Sequence, residues 1–335
     1  MTDPVTRLLR ERDVLLTDGA TGTNLFALGL ANGASGELWN VEHPDRVRSV
    51  VQSFVDAGSD IVLTNTFGAN VFRFALHKLQ GRVRELNMAG AALARDVADK
   101  TGRTVVVAGS MGPTGDVLEP LGPRTMSEAE EAFHEQAEAL RDGGVDLAWI
   151  ETMFADNELE AAVRGAQRAG LPFVATMTFD TGGRTMMGIR PSDAMRRSKS
   201  LPARPVAFGA NCGVGPAQLV DSVLGLAEGA EPGDIIVAKS NCGLPTMGDD
   251  MRVAYSGTPE VMARYAYLAR NAGARIIGGC CGTTATHVRA MADVLATSKR
   301  SAPPTYEEIE RALGPVRKIT TRPDRAASTA GAPAA

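Results

Sequence analysis

Two adjacent cysteines stand in Gly278-Gly279-Cys280-Cys281-Gly282-Thr283-Thr284, directly after the apolar run Ala274-Arg275-Ile276-Ile277. Glycines let the backbone turn sharply and approach a ligand closely, and Thr283 or Thr284 suits the cap of a following helix. The pair therefore sits at a strand end just before a helix. Its chemistry is either a strained disulfide between neighbours or two thiolates aimed at one metal ion. Only Cys212 and Cys242 accompany it. Four cysteines in a chain of 335 residues are not a disulfide framework, and a reducing compartment disfavours the disulfide.

Three thiolates, Cys212, Cys280 and Cys281, with no obvious fourth ligand suit a catalytic zinc, which keeps one position open. A closed four-cysteine site that adds Cys242, and no metal at all, remain the alternatives, because Asn241-Cys242-Gly243 copies Asn211-Cys212-Gly213. The paired Cys-x-x-Cys spacing of structural zinc is absent, and the four histidines fall on expected helices or just before them. Two carboxylates, Asp18 and Glu151, follow apolar runs and together would receive a cationic ammonium group. Lys239 reads as the structural partner of a neighbouring carboxylate.

The elements that must position these residues repeat as one cycle. Apolar runs at Val14–Thr17, Asp60–Leu63, Thr104–Ala108, Asp146–Ile150, Phe173–Thr178, Pro205–Phe208, Asp234–Ala238 and Ala274–Ile277 are each followed by a helical pattern. Runs apolar on both faces mean parallel strands covered on both sides. Helices end on Gly58, Gly144, Gly170 and Gly273, which suit the left-handed stop after a helix. Ser127 and Glu130 form a capping-box pattern for the helix that runs to about Arg141. Eight such units predict an α/β protein, a (β/α)8 TIM barrel in one domain over 1–300, with a helical extension at 301–319 and a short disordered tail at 320–335. An open doubly wound sheet would want a Gly-x-Gly-x-x-Gly turn after an early strand, and none occurs. In a barrel, strand C-termini ring the active site. Asp18, Thr64, Asn65, Ser110, Glu151, Asn211, Cys212, Lys239 and the 280–281 pair then converge on one mouth.

Composition narrows the class. A net charge of −4 argues against nucleic-acid or anionic-membrane partners. The first residues lack an apolar targeting segment and no run reaches membrane-span length, so a cytoplasmic enzyme is expected. The sequence does not set the oligomeric state.

The combination Asp18-Gly19-Ala20-Thr21-Gly22-Thr23, Thr64-Asn65-Thr66-Phe67, Gly112-Pro113-Thr114, Ile150-Glu151-Thr152, Asn211-Cys212 and Gly278-Gly279-Cys280-Cys281-Gly282 resembles the zinc-dependent homocysteine S-methyltransferase family over roughly residues 12–296. The resemblance implies one Zn2+ held by Cys212, Cys280 and Cys281, with Cys242 outside the ligand set. It also implies L-homocysteine as substrate, its amino group held by Asp18 and Glu151 beside Gly19, Thr64, Asn65 and Ser110. Three thiolates leave Zn2+ with one net negative charge, so a fourth, substrate thiolate stays nucleophilic and takes a methyl group to give methionine.

The donor implied is cationic, most simply glycine betaine, since the stretches Leu38–Pro44, Met186–Gly188 and Tyr255–Pro259 look most like bacterial betaine–homocysteine methyltransferases. S-methylmethionine, dimethylsulfoniopropionate or a separate methylated corrinoid protein are the alternatives. Aromatic faces attract cations, which makes Trp39, Phe67, Phe72, Phe154 and Tyr255 the candidate donor pocket. The sequence departs from animal betaine enzymes at Gly68, where they carry Tyr.

Overall fold

The computed structural model describes residues 3–247 and 253–316. Eight parallel strands close a (β/α)8 barrel: β1 (Leu15–Leu16), β2 (Ile61–Leu63), β3 (Val106–Met111), β4 (Leu147–Met153), β5 (Phe173–Met177), β6 (Ala207–Cys212), β7 (Ile236–Ser240) and β10 (Ala274–Gly279). A two-stranded antiparallel ribbon, β8 (Pro245–Met247) with β9 (Val253–Tyr255), is inserted after β7. The sheet runs β1-β10-β7-β6-β5-β4-β3-β2. A Thr17–Ile61 bridge joins its two ends.

The continuous apolar runs have two destinations, because successive residues of a strand face opposite sides. Leu15, Ile61, Leu63, Val106, Ala108, Leu147, Trp149, Val174, Val237 and Ile276 fill the barrel interior, which Val5, Leu8 and Leu9 of the first helix (Pro4–Glu11) plug. The alternate residues, among them Val62, Val107, Ala148, Ile150, Ala175 and Ala238, pack outward on the helices. Interior burial also forbids side chains where strands crowd. A Cβ on Gly209 would lie 2.1 Å from the Val237 carbonyl oxygen.

The exits Gly58, Gly144, Gly170 and Gly273 all have positive φ, between 74° and 120°. The capping box lies two residues before the expected one: Thr125 and Glu128 exchange hydrogen bonds at the start of the helix Met126–Asp142. A helix not foreseen, Thr21–Ala27, follows β1 directly. The helix Tyr306–Leu313 forms within the expected extension. The tail expected to be disordered, 320–335, lies outside the described residues. Among the described residues no helix is long and apolar enough to cross a membrane.

Candidate thiol and carboxylate site

A cavity of 430 Å³ opens at the C-terminal ends of the strands. It is lined by Gly19, Thr64, Asn65, Phe67, Ser110, Glu151, Cys212, Tyr255, Cys280 and Cys281 from the expected set. Thr21, Thr23, Phe26, Glu37, Thr152 and Lys239 also line it. Asp18, Trp39, Phe72 and Phe154 do not.

The thiol end is built from two loops. The sulfurs of Cys212, Cys280 and Cys281 all lie within 4.8 Å of one another, and none is in a disulfide. Cys280 N–H donates to the Ser240 carbonyl (2.6 Å) and Cys281 N–H to Asn241 Oδ1 (3.1 Å). Asn241 Nδ2 in turn donates to Gly213 O (2.6 Å), so one amide ties the Cys212 loop to the Cys281 loop. Cys212 takes a left-handed φ of 63°, a conformation that costs a non-glycine residue energy and collects at functional sites. Cys242, by contrast, is fully buried and donates its S–H to the Gly257 carbonyl at 3.2 Å. The duplicated Asn-Cys-Gly phrase therefore gives two similar turns but one thiol in the cluster.

The trio suits a metal ion on chemical grounds. Contact with Cys280 lowers the Cys212 pKa, but contact with Cys281, burial and the Cys281 charge outweigh it and push it up to about 12. Three thiols this close oppose one another's ionisation, and a cation at their centre reverses that opposition. Tetrahedral zinc–sulfur bonds of about 2.3 Å put sulfurs about 3.8 Å apart, within reach of the observed spacing. Tyr255 contacts Cys281 through its hydroxyl. Its ring lies against Gly282, where a Cβ would come within 2.3 Å of it.

The carboxylate end centres on Glu151. Ser110 Oγ donates to Glu151 Oε1 at 2.5 Å, and Ser110 N–H donates to Thr64 Oγ1 at 3.0 Å. A register shift between Ile150 and Met153, with Thr152 at φ 64°, marks a bulge that brings Glu151 to the cavity. Burial pushes the Glu151 pKa above the usual carboxylate value; Lys239 and Ser110 partly offset this, and Asp18 adds to it. Asp18 is 1% exposed. Its Oδ1 pairs with Lys239 Nζ (2.7 Å) and its Oδ2 accepts from Leu63 N–H (2.7 Å). Burial disfavours the Lys239 ammonium, but Asp18 and then Glu151 hold its pKa above the ordinary value.

At the outer end Glu37 accepts from Ser35 Oγ and Gly68 N–H, both at 2.7 Å. No ion pair to Glu37 occurs among the described residues. Three of the five aromatic candidates already carry a guanidinium on the ring: Arg46 on Trp39 at 4.9 Å, Arg73 on Phe67 at 5.6 Å and Arg124 on Phe72 at 3.8 Å. Phe26 was not foreseen. The helix Thr21–Ala27 that carries it is held by Asn24, which donates to the Thr283 carbonyl at 3.0 Å, a contact no local pattern encodes.

A family model described as homocysteine S-methyltransferase matches residues 15–295. The methionine synthases of Mycobacterium tuberculosis and Mycobacterium leprae are 34% and 31% identical over 304 and 311 residues, 86% and 88% of this chain. The chain spans only a quarter of the length of these relatives, 25% of each. Among solved structures, the metallated form of the homocysteine methyltransferase MmuM from Escherichia coli superposes with a TM-score of 0.71 at 26% identity, covering 88% of this chain and 100% of that one. Its oxidized form gives the same score and identity over 87% and 99%.

Proposed function

The chain belongs to the homocysteine S-methyltransferase family, and from that premise we propose that it moves a methyl group from a small cationic donor to the sulfur of L-homocysteine, giving methionine. One observation carries the reading: a single cavity holds three clustered thiols and a buried carboxylate, Glu151. An amino acid with a thiol at one end and an ammonium at the other fits those two groups.

Cys212, Cys280 and Cys281 are the residues that would hold zinc. When bound there, zinc supplies the Lewis acidity that keeps a substrate thiol deprotonated at neutral pH. Glu151 receives the ammonium. Ser110 fixes one of its oxygens and so aims the other. Lys239, paired with Asp18, lies beneath, and its ammonium favours the ionised form of Glu151 while the Asp18 carboxylate opposes it. Sulfur attacks the methyl carbon as the bond from that carbon to the donor nitrogen or sulfur breaks, and the electron pair leaves with the donor. No proton moves in this step, so no general base is required of the chain.

The donor end supports a cation. Glu37 brings negative charge, and Phe26 and Tyr255 bring aromatic surface to the same cavity. Glycine betaine is the first donor to test, with S-methylmethionine and dimethylsulfoniopropionate in the same class. A second reading, methyl delivery by a separate corrinoid protein, is supported by apolar side chains exposed in segments that follow the barrel strands: Phe26 on the helix Thr21–Ala27, and Leu28, Leu76, Leu121, Met186 and Leu244.

The test is zinc-loaded protein with homocysteine and each donor in turn, with methionine read by mass spectrometry. Methionine from a cationic donor is the expected result. Methionine from methylcobalamin alone would replace the cationic reading with the second one. No methionine from any donor would remove both.

A further inference from the structure

Asn211 is fully buried between the two ends of the cavity, and its amide is used on every side. Its Oδ1 accepts from Thr152 N–H and from Thr176 Oγ1, both at 2.8 Å. Its Nδ2 donates to Thr152 Oγ1 at 2.7 Å and lies 3.9 Å from Cys280 Sγ. Thr152 and Cys212 are two of the three non-glycine residues with positive φ among the described residues, and Asn211 touches one and precedes the other. Two left-handed residues do not hold themselves there; surrounding contacts must over-determine them. The amide thus ties the bulge that carries Glu151 to β6, at the residue directly before the turn that carries Cys212.

We infer that Asn211 is a positioning residue that sets the span between Glu151 and the thiol cluster, and so selects homocysteine over cysteine, which is one methylene shorter. The inference rests on the reading that Glu151 takes the ammonium and the thiol cluster serves the sulfur. Removing the amide releases Thr152 from its two bonds, lets the bulge relax toward regular pairing with β5 and changes the span. The ligand that matches the present span loses most. A site that measures length by one methylene discriminates only about 10- to 200-fold, so a small relaxation is enough to erase the preference.

The test is calorimetric binding of L-homocysteine and of L-cysteine to zinc-loaded wild type and to Asn211→Ala, with zinc per chain measured on both. Wild type is expected to prefer homocysteine. In Asn211→Ala the ratio of the two affinities is expected to fall about tenfold, through weaker homocysteine binding, with zinc still at about one per chain. Thr152→Val keeps the amide but removes the hydroxyl that Nδ2 donates to. It should shift the ratio in the same direction by less, and it decides the matter if Asn211→Ala does not fold. An unchanged ratio, including one in which both affinities fall together, means that Asn211 is only structural and overturns the inference. Wild type that binds neither amino acid would instead overturn the functional reading on which it rests.

Discussion

Glu151 has the most informative titration in the cavity. Burial raises its pKa above the ordinary value of 4.5, and it binds an ammonium only when ionised. Ammonium binding is therefore complete above the raised pKa and lost as pH falls through it, so the acid limb of kcat/KM should lie above pH 4.5. Glu151→Gln should abolish that limb and raise KM for homocysteine by roughly 10- to 100-fold, with a smaller change in kcat. A pH profile that keeps its acid limb in Glu151→Gln assigns the limb to another group. The thiols separate equally sharply. Cys212→Ser should lose zinc. Cys242→Ala, whose burial pushes its thiol up to about 11, should keep zinc and lose only about 1–2 kcal/mol of stability to the cavity left behind. Metal analysis with thermal unfolding of both variants distinguishes a three-cysteine site from a four-cysteine one.

The eight strands were legible because each is buried on both faces and so reads as a continuous apolar run, and the exits were legible because glycine is the residue that takes a left-handed stop cheaply. The capping box was displaced for a plain reason. Thr125 and Glu128 satisfy the same spacing as Ser127 and Glu130, and the turn that precedes the helix selects between them. What escaped the sequence is what depends on distant partners. Arg124 covers Phe72 from 52 positions away and Asn24 reaches Thr283 across 259, so neither the loss of a donor-pocket candidate nor the helix that brings in Phe26 has a local trace. The glycines around the cysteine pair read in the sequence as permissive turns, and the structure adds a steric reason. A Cβ on Gly279 would come within 2.2 Å of the Thr283 side chain and one on Gly278 within 1.8 Å of Thr17 Oγ1. Gly279→Ala should push Thr283 and the loop of Cys280 apart, which predicts weaker zinc retention against a chelator together with a loss of about 1–3 kcal/mol. Full retention would mean that Thr283 can yield.

At the scale of the whole molecule, the seam between β1 and β2 is the place where a barrel with so short a first strand would open, and polar groups hold it. Asp60 accepts from Leu16 N–H at 3.0 Å and is held by Arg12, while Asp18 accepts from Leu63 N–H at 2.7 Å across the same seam. Asp18 is thereby joined to β2 by one oxygen and to Lys239 on β7 by the other, so closure of the barrel and the charge beneath Glu151 depend on one residue. Both members of the ion pair are 2% exposed at the side chain, and a buried charge stripped of its partner is severely destabilising. Lys239→Met should cost about 3–5 kcal/mol, because Asp18 would remain buried and unpaired. The double variant Asp18→Asn with Lys239→Met removes both charges and keeps an acceptor for Leu63 N–H, so it should recover a large part of that loss. The urea midpoint at constant slope measures both. Homocysteine affinity then separates the two roles of the pair. If the floor charge serves only closure, the double variant binds homocysteine like the wild type. If Lys239 also keeps Glu151 ionised, affinity at neutral pH stays low after stability returns and recovers as pH rises, because Glu151 without the ammonium beneath it ionises later still.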